Sequence, residues 1–260
     1  MTTWVLLRGL MRESRHWGDF PHQLMQVMKN DEIICIDFPG NGSLNAQHSL
    51  TSVPEMAEHC RQELKARGCV GPYHVLAISL GAMVAVAWAQ AHADEIKSMS
   101  LINTSLAPHN PFYQRLRPQN YPQLLRTLLF GGRRKRENLI LKLTSNLTPK
   151  NTAPAIIDEW VHYAREFPIA RANILRQLRA ASHFRAPEQA PSTAILMLAA
   201  NKDQLVSVKC SQEIAAKWQV PLHLHPSAGH DLPLDDGTWV IQQIQEWHAS
   251  IFGSQSATNS

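Results

Sequence analysis

The sequence predicts an α/β layer fold: a mostly parallel sheet with helices on both faces and one inserted block of helices. Two observations carry that prediction. Short apolar runs recur along the chain with helix-length segments between them, and most of the runs are continuous rather than alternating. Strands covered on both faces need such continuity, and alternating strand and helix is the rhythm of a parallel sheet. A third observation supplies the insertion, because the strand signals stop between Leu106 and about Pro191.

Taken in order, the strand candidates are Trp4–Leu7 (WVLL), Glu32–Asp37 (EIICID), the YHVLAIS run from Tyr73, Ile96–Asn103, Thr193–Ala200 and Val220–Pro226. Helices are expected near 17–28, 54–67, 80–93, 208–218 and 237–251. The last carries Trp239, Ile241, Ile244, Trp247 and Ile251 at helical spacing. Within the interrupted stretch, Pro108, Pro111, Pro118, Pro122, Pro187 and Pro191 punctuate four further helix candidates: Tyr121–Phe130, Arg136–Asn146, Ala153–Phe167 and Pro168–Ala181. The expected organisation is a core of 1–104 and 192–252, a helical insertion of 105–191, and a frayed tail at 253–260. No internal repeat is visible.

Composition narrows the class. The chain has 260 residues, of which 44% are hydrophobic and 18% charged, which suits one sizeable soluble core. No apolar run approaches the ~20 residues that a membrane span requires. The opening MTTWVLLRGLMRESR meets Arg8 too early for a signal peptide and reads as a first strand. Cys35, Cys60, Cys69 and Cys210 show no C-x-x-C spacing, so a reducing, cytoplasmic setting without metal or cofactor is expected. Charge is unevenly spread. Residues 105–191 hold 14 Lys/Arg against 5 Asp/Glu, whereas the remainder holds 11 against 16. The basic run Arg133–Arg136 follows Gly131 and Gly132. With Arg115, Arg117, Arg126, Arg171, Arg176 and Arg179 it suggests an acidic partner. Nucleic acid is disfavoured, because no aromatic interleaving or binding motif accompanies the charge.

Chemistry concentrates at YHVLAISLGAMVAVAWA. A buried strand, Ser79 and an immediate helix put the serine on a sharp turn with its hydroxyl pushed outward. The amide of Leu80 then points where an oxyanion would form, at a helix N-terminus that favours negative charge. Ala77 and Gly81, two residues before and after, are small because bulk would clash in the turn. Asp203 follows the strand TAILMLAA, at the sheet end where open α/β folds place functional groups. His230 sits in the small-residue loop Ser227-Ala228-Gly229 before the last helix. A hydroxyl needs an imidazole to take its proton, and the imidazole needs a carboxylate to orient it. Asp231, Asp235 and Asp236 compete for the carboxylate role but suit helix capping better. His223 and His225 alternate in a strand pattern, where packing or exposure is favoured over metal binding.

The order Ser79, Asp203, His230 resembles the α/β-hydrolase superfamily over nearly the whole chain. The segments that carry the resemblance are LLRG, DFPGNG, AISLGA, LINTS, NKDQLVS and SAGHDL. It implies an α/β-hydrolase fold that starts at what is usually the third strand, with the insertion as a cap over the site. It also implies an oxyanion hole formed by the amides of Leu10 and Leu80. Two residues depart from the pattern. Arg8-Gly9 stands where His-Gly is usual, so Arg8 would either reshape the loop or bind an anionic group, and Ala77 replaces the first elbow glycine. Arg8, Trp17 and Tyr113 are the candidate substrate contacts. His16-Trp17 would close the pocket wall, and some of Phe112, Tyr113, Trp160, Tyr163 and Phe167 would face the pocket.

The expected activity is that of a serine hydrolase acting on a small-molecule carboxylic ester or thioester. The compact core and basic cap resemble carboxylesterases such as those that demethylate pimeloyl groups on an acidic carrier protein. A free anionic substrate or an anionic membrane surface would account for the same charge. A lyase of the menaquinone-synthesis type, a C–C hydrolase and a non-catalytic binding protein are the alternatives.

Overall fold

The protein is described by a computed structural model covering residues 2–29 and 31–253. The expected tail therefore lies, from 254 onward, outside the described residues. Six strands form one sheet: β1 (Thr3–Leu7), β2 (Glu32–Ile36), β3 (Tyr73–Ile78), β4 (Ile96–Ile102), β5 (Ala194–Ala200) and β6 (Leu222–His225). Their order is β2-β1-β3-β4-β5-β6, and every pairing is parallel.

Ten α-helices are found among the described residues. They are α1 (Phe20–Val27), α2 (Val53–Ala66), α3 (Leu80–Ala91), α4 (Phe112–Arg115), α5 (Tyr121–Phe130), α6 (Arg133–Thr144), α7 (Ala153–Glu166), α8 (Arg171–His183), α9 (Val208–Trp218) and α10 (Leu232–Phe252). Between β4 and β5 the chain is helical, with α4 to α8 and no strand among the described residues. The four-residue α4 was not expected, since a turn this short leaves no periodic signal. The basic run Arg133–Arg136 forms the first turn of α6, so that helix begins three residues earlier than expected.

Strand side chains alternate between two cores, which is why the strands read as continuous apolar runs. Val5, Leu7, Val75, Ala77, Met99, Leu101, Ile195 and Met197 face α2, α3 and α9. Trp4, Leu6, Leu76, Ile78, Ile102, Leu196 and Leu198 face α1 and α10. Helix α3 is buried from Leu80 to Ala89, as its run of small residues against the central strands requires. At the sheet edge, β6 is only half-buried, apart from His225.

The insertion rests on loops that follow the carboxyl ends of the strands, and the seam is polar. Gln177 of α8 is fully buried. Its amide group donates to Asn41 Oδ1 and Ser49 Oγ and accepts from the Met11 amide. Asn173, one turn earlier, accepts from the Ser49 amide and donates to the Gln47 carbonyl. Arg12 Nη1 donates to Glu137 of α6 at 2.8 Å, with the Arg12 guanidinium 4.2 Å above the Trp160 ring. Buried polar groups with this many partners fix orientation more tightly than apolar contact does. The four cysteines are free, and burial pushes the Cys35 and Cys210 thiols up to about 12. Among the described residues no helix is long and apolar enough to cross a membrane.

Candidate active site

Ser79 occupies the junction of β3 and α3 with φ 56° and ψ −114°. A non-glycine residue there is strained, and the neighbours hold it in place. Its amide donates to the Ile102 carbonyl at 3.0 Å, and its carbonyl accepts from the Thr104 hydroxyl at 3.1 Å. The small residues around it have distinct reasons. A Cβ on Gly81 would lie 2.4 Å from the Leu7 carbonyl oxygen, so only glycine lets α3 cross the end of β1. Ala77 points the other way, into the core at 0% exposure, where its methyl is packed. Alanine is thus accommodated on the strand side of the turn, and glycine is required on the helix side.

The loop after β1 passes directly over the serine. A Cβ on Gly9 would stand 3.2 Å from Ser79 Cβ and 3.7 Å from its Oγ. Leu10 follows in the same loop, and neither its amide nor that of Leu80 has a protein acceptor among the described residues. The Leu80 amide follows Ser79 directly at the start of α3, where a helix N-terminus favours negative charge.

Asp203 and His230 meet as the sequence predicts. Asp203 Oδ2 lies 2.7 Å from His230 Nδ1, while Oδ1 accepts from the amides of Leu205 and Val206. Both residues are buried. Burial pulls the imidazole toward its neutral form, but the charge and hydrogen bond of Asp203, with help from Asp231, outweigh it and raise the His230 pKa above its ordinary value. With Nδ1 directed at the carboxylate, Nε2 is the nitrogen left to exchange a proton. No hydrogen bond joins Ser79 Oγ to His230 among the described residues.

Several residues that shape this region carry roles the sequence did not reveal. Asn103 ends β4 with φ 44°. Its side chain donates to the carbonyls of Gly229 and His230 and accepts from the Ala200 amide. One amide group thus fixes the histidine loop to the ends of β4 and β5. Its signal was the LINTS run, which carries no role by itself. Asp235 Oδ2 accepts from the amides of Gly229 and Asn146, and Oδ1 from Ser145 Oγ and the Leu147 amide. It therefore ties the insertion to the loop before His230 rather than capping a helix. Asp236 does cap, accepting from the Trp239 amide, and it also breaks α10 with φ −151° and ψ 73°. Asp231 stands at the N-cap position but makes no capping bond. Its carboxylate turns instead to Arg8, with contacts of 3.1 and 2.5 Å.

The three candidate substrate contacts fall in different places. Arg8 is buried against Asp231 and lies 4.7 Å over the Trp17 ring, so its charge is met within the protein. This corresponds to the loop-shaping role rather than to capture of an anion. Trp17 is 3% exposed and stacks on Phe20 in the core. Tyr113 is 52% exposed beside Phe112, on the outer side of α4. His16 is buried against Trp160 and Tyr163. Burial, and then Arg12 and Arg8, hold its pKa well below the ordinary value. Phe167 lies under the Arg15 guanidinium at 4.8 Å. His225 accepts from the Ser227 and Ala228 amides and sits 3.3 Å from Asp236, which makes it a brace for the loop before His230. Among the described residues no three His, Cys, Asp or Glu side chains stand together as metal ligands.

Comparison with known proteins agrees with this architecture. A model of the alpha/beta hydrolase family matches residues 4–243. No curated protein matches the chain by sequence. Among solved structures, the chain resembles a putative lipase from Acinetobacter baumannii, with TM-score 0.76 and 24% identity over 97% of this chain and 85% of that one. It also resembles a thermophilic esterase from Thermogutta terrifontis, with TM-score 0.75 and 18% identity over 96% and 90%. A third likeness is to the 2-hydroxy-6-oxo-6-phenylhexa-2,4-dienoate hydrolase of a Rhodococcus strain, with TM-score 0.74 and 15% identity over 94% and 89%. At these identities the three likenesses speak for the fold. The family match spans most of the chain, and the chain belongs to the alpha/beta hydrolase family.

Proposed function

We propose that the protein is a serine hydrolase that cleaves a carboxylic ester or thioester of a small molecule through an acyl-enzyme. The observation that carries this reading is the buried, hydrogen-bonded Asp203–His230 pair, whose loop Asn103 holds to the strand end where the Ile102 carbonyl accepts from the amide of the strained Ser79. Ser79 Oγ attacks the acyl carbonyl as its proton passes to His230 Nε2. The amides of Leu10 and Leu80 stabilise the resulting oxyanion. His230 returns the proton to the departing alcohol or thiol, leaving the acyl group on Ser79. Water, deprotonated by the same imidazole, then releases the acid. Asp203 keeps the imidazole in the tautomer that each step needs.

Lipase and esterase names among the structural neighbours support ester hydrolysis, and the Rhodococcus enzyme's name keeps a carbon-skeleton substrate in view. Labelling with a fluorophosphonate, wild type beside Ser79→Ala and His230→Ala, tests the reading together with turnover of short p-nitrophenyl esters. Labelling and cleavage that both require Ser79 and His230 support the proposal. Labelling without ester cleavage would favour the carbon–carbon or lyase chemistry, and no labelling would favour a binding protein.

A further inference from the structure

Eight of the eleven exposed large apolar side chains among the described residues lie on α4, α5 and α8 of the insertion. That concentration is not the ordinary scatter of surface leucines. Along α5, Tyr121, Leu125 and Leu129 recur every fourth residue on one exposed face, and Phe130 beside them is 81% exposed. On α8 the polar seam turns Asn173 and Gln177 inward, so Leu175 and Leu178 point outward. Exposed Arg171 and Arg179 stand one turn to either side of Leu175, and exposed Arg126 follows Leu125.

Two side-chain hydrogen bonds tie these helices together near their ends. Arg171 donates to the Leu129 carbonyl at 3.2 Å, joining the start of α8 to the end of α5. Arg115 donates to the Ala181 carbonyl at 2.7 Å, joining the end of α8 to the segment that leads into α5. The helices therefore run in opposite directions along one surface. Charge on these two helices has a single sign. They carry Arg126, Arg171, Arg176 and Arg179 and no Asp or Glu.

We propose that the outer face of α5 and α8 is an interfacial surface for a bilayer containing anionic phospholipid. Leucine and aromatic side chains enter the headgroup–acyl boundary while the arginines meet lipid phosphates. Exposed apolar rows flanked by arginine match what an in-plane membrane helix requires. An acidic carrier protein would satisfy the arginines but gives no reason for two parallel rows of exposed leucine. The surface lies on the insertion, away from the seam and from Ser79, so the proposal does not depend on the reaction that Ser79 performs.

Flotation of the full chain tests it, with phosphatidylcholine vesicles beside an equimolar phosphatidylcholine–phosphatidylglycerol mixture. Wild type is expected to float with the mixed vesicles and to lose part of that binding as salt is raised. Leu125→Ser with Phe130→Ser weakens partition about tenfold, and Arg126→Glu with Arg179→Glu does the same and removes the salt dependence. Far-UV circular dichroism checks that both variants keep the fold, whether or not the protein proves to be an esterase. Failure to float with the mixed vesicles would overturn the proposal, as would flotation indifferent to the leucine and phenylalanine. So would a dimer in sedimentation velocity that both variants dissolve, or binding of a purified acidic carrier protein without vesicle binding.

Discussion

Arg8 and Asp231 form a two-point ion pair that locks the loop after β1 to the residue following His230. Both side chains are buried. Burial disfavours the Asp231 carboxylate, but the Arg8 charge and hydrogen bonds outweigh it and hold the carboxyl below its ordinary range. The pair therefore couples the loop carrying Leu10 to the loop carrying His230. Arg8→Ala strands a buried carboxylate and is expected to cost about 3–5 kcal/mol in urea unfolding. Replacing both by leucine should recover much of that loss, because the charge and its penalty leave together. A double variant as unstable as the two singles summed would contradict this account.

In the proposed mechanism His230 carries the pH dependence. Its folded value is raised, and an imidazole acts as a base only when neutral, so activity should climb as pH rises through a value above 6.5. Asp203→Asn removes the main raising influence, so the midpoint should fall. The same change loses the orienting carboxylate, and turnover should drop by about 10³–10⁴-fold. The stability contribution has the matching sign. The pairing of His230 with Asp203 stabilises fully below the unfolded value near 6.5 and fades as pH rises through the folded value. A pH–rate profile of Asp203→Asn with an unmoved midpoint would remove His230 from the role.

Much of this site was legible because its chemistry is tied to the ends of buried strands. Ser79, Asp203 and His230 each follow a strand that reads clearly, and strands covered on both faces leave continuous apolar runs. The contacts that hold them were not legible. Asn103 acts through one side-chain amide on the histidine loop and on the end of β5, and Gln177 and Asp235 act likewise across residues far apart in sequence. Such contacts have no period. The role of Arg8 stayed open between loop-shaping and anion binding for a related reason, since a single-sequence view does not reveal a buried partner such as Asp231.

The elbow makes an asymmetric prediction about its two small residues. A side chain at Gly81 would press on the Leu7 and Arg8 carbonyl oxygens, at 2.4 and 2.7 Å. Backbone atoms cannot retreat as a side chain can. Gly81→Ala should therefore destabilise by roughly 1–3 kcal/mol and reduce turnover by shifting the Leu80 amide. Ala77→Gly, which restores the usual first glycine, removes a packed methyl and costs about 0.5–1 kcal/mol without moving the serine. Thermal unfolding and ester turnover of the two variants, measured in parallel, separate these effects. Equal losses would mean that both positions are constrained by the same contact.

At the opposite end of the sheet, acid sensitivity is built into a cluster of two imidazoles, His74 buried and His248 half-buried. Trp4, His74 and His248 form a triangle of rings, with Trp4 4.8 Å from His74 and 5.0 Å from His248 and the two imidazoles 4.6 Å apart, and both histidines share Ser98 Oγ, at 2.6 and 3.2 Å. Burial first, and then the neighbouring positive groups, hold His74 at about 3 and His248 at about 4, against 6.5 in an open chain. Lys97, over the Phe252 ring, opposes protonation of both, while Asp31 raises His248 slightly. Between about 6.5 and the folded values, the unfolded chain binds protons that the folded chain refuses. Stability is therefore complete above 6.5 and falls as pH drops toward 4, with His16 adding the same sign. His248→Phe keeps an aromatic ring on Trp4 and should reduce the proton uptake on unfolding by about one in this window. Urea unfolding measured across that pH range reads the slope directly, and a slope unchanged in His248→Phe would assign the acid sensitivity to other groups.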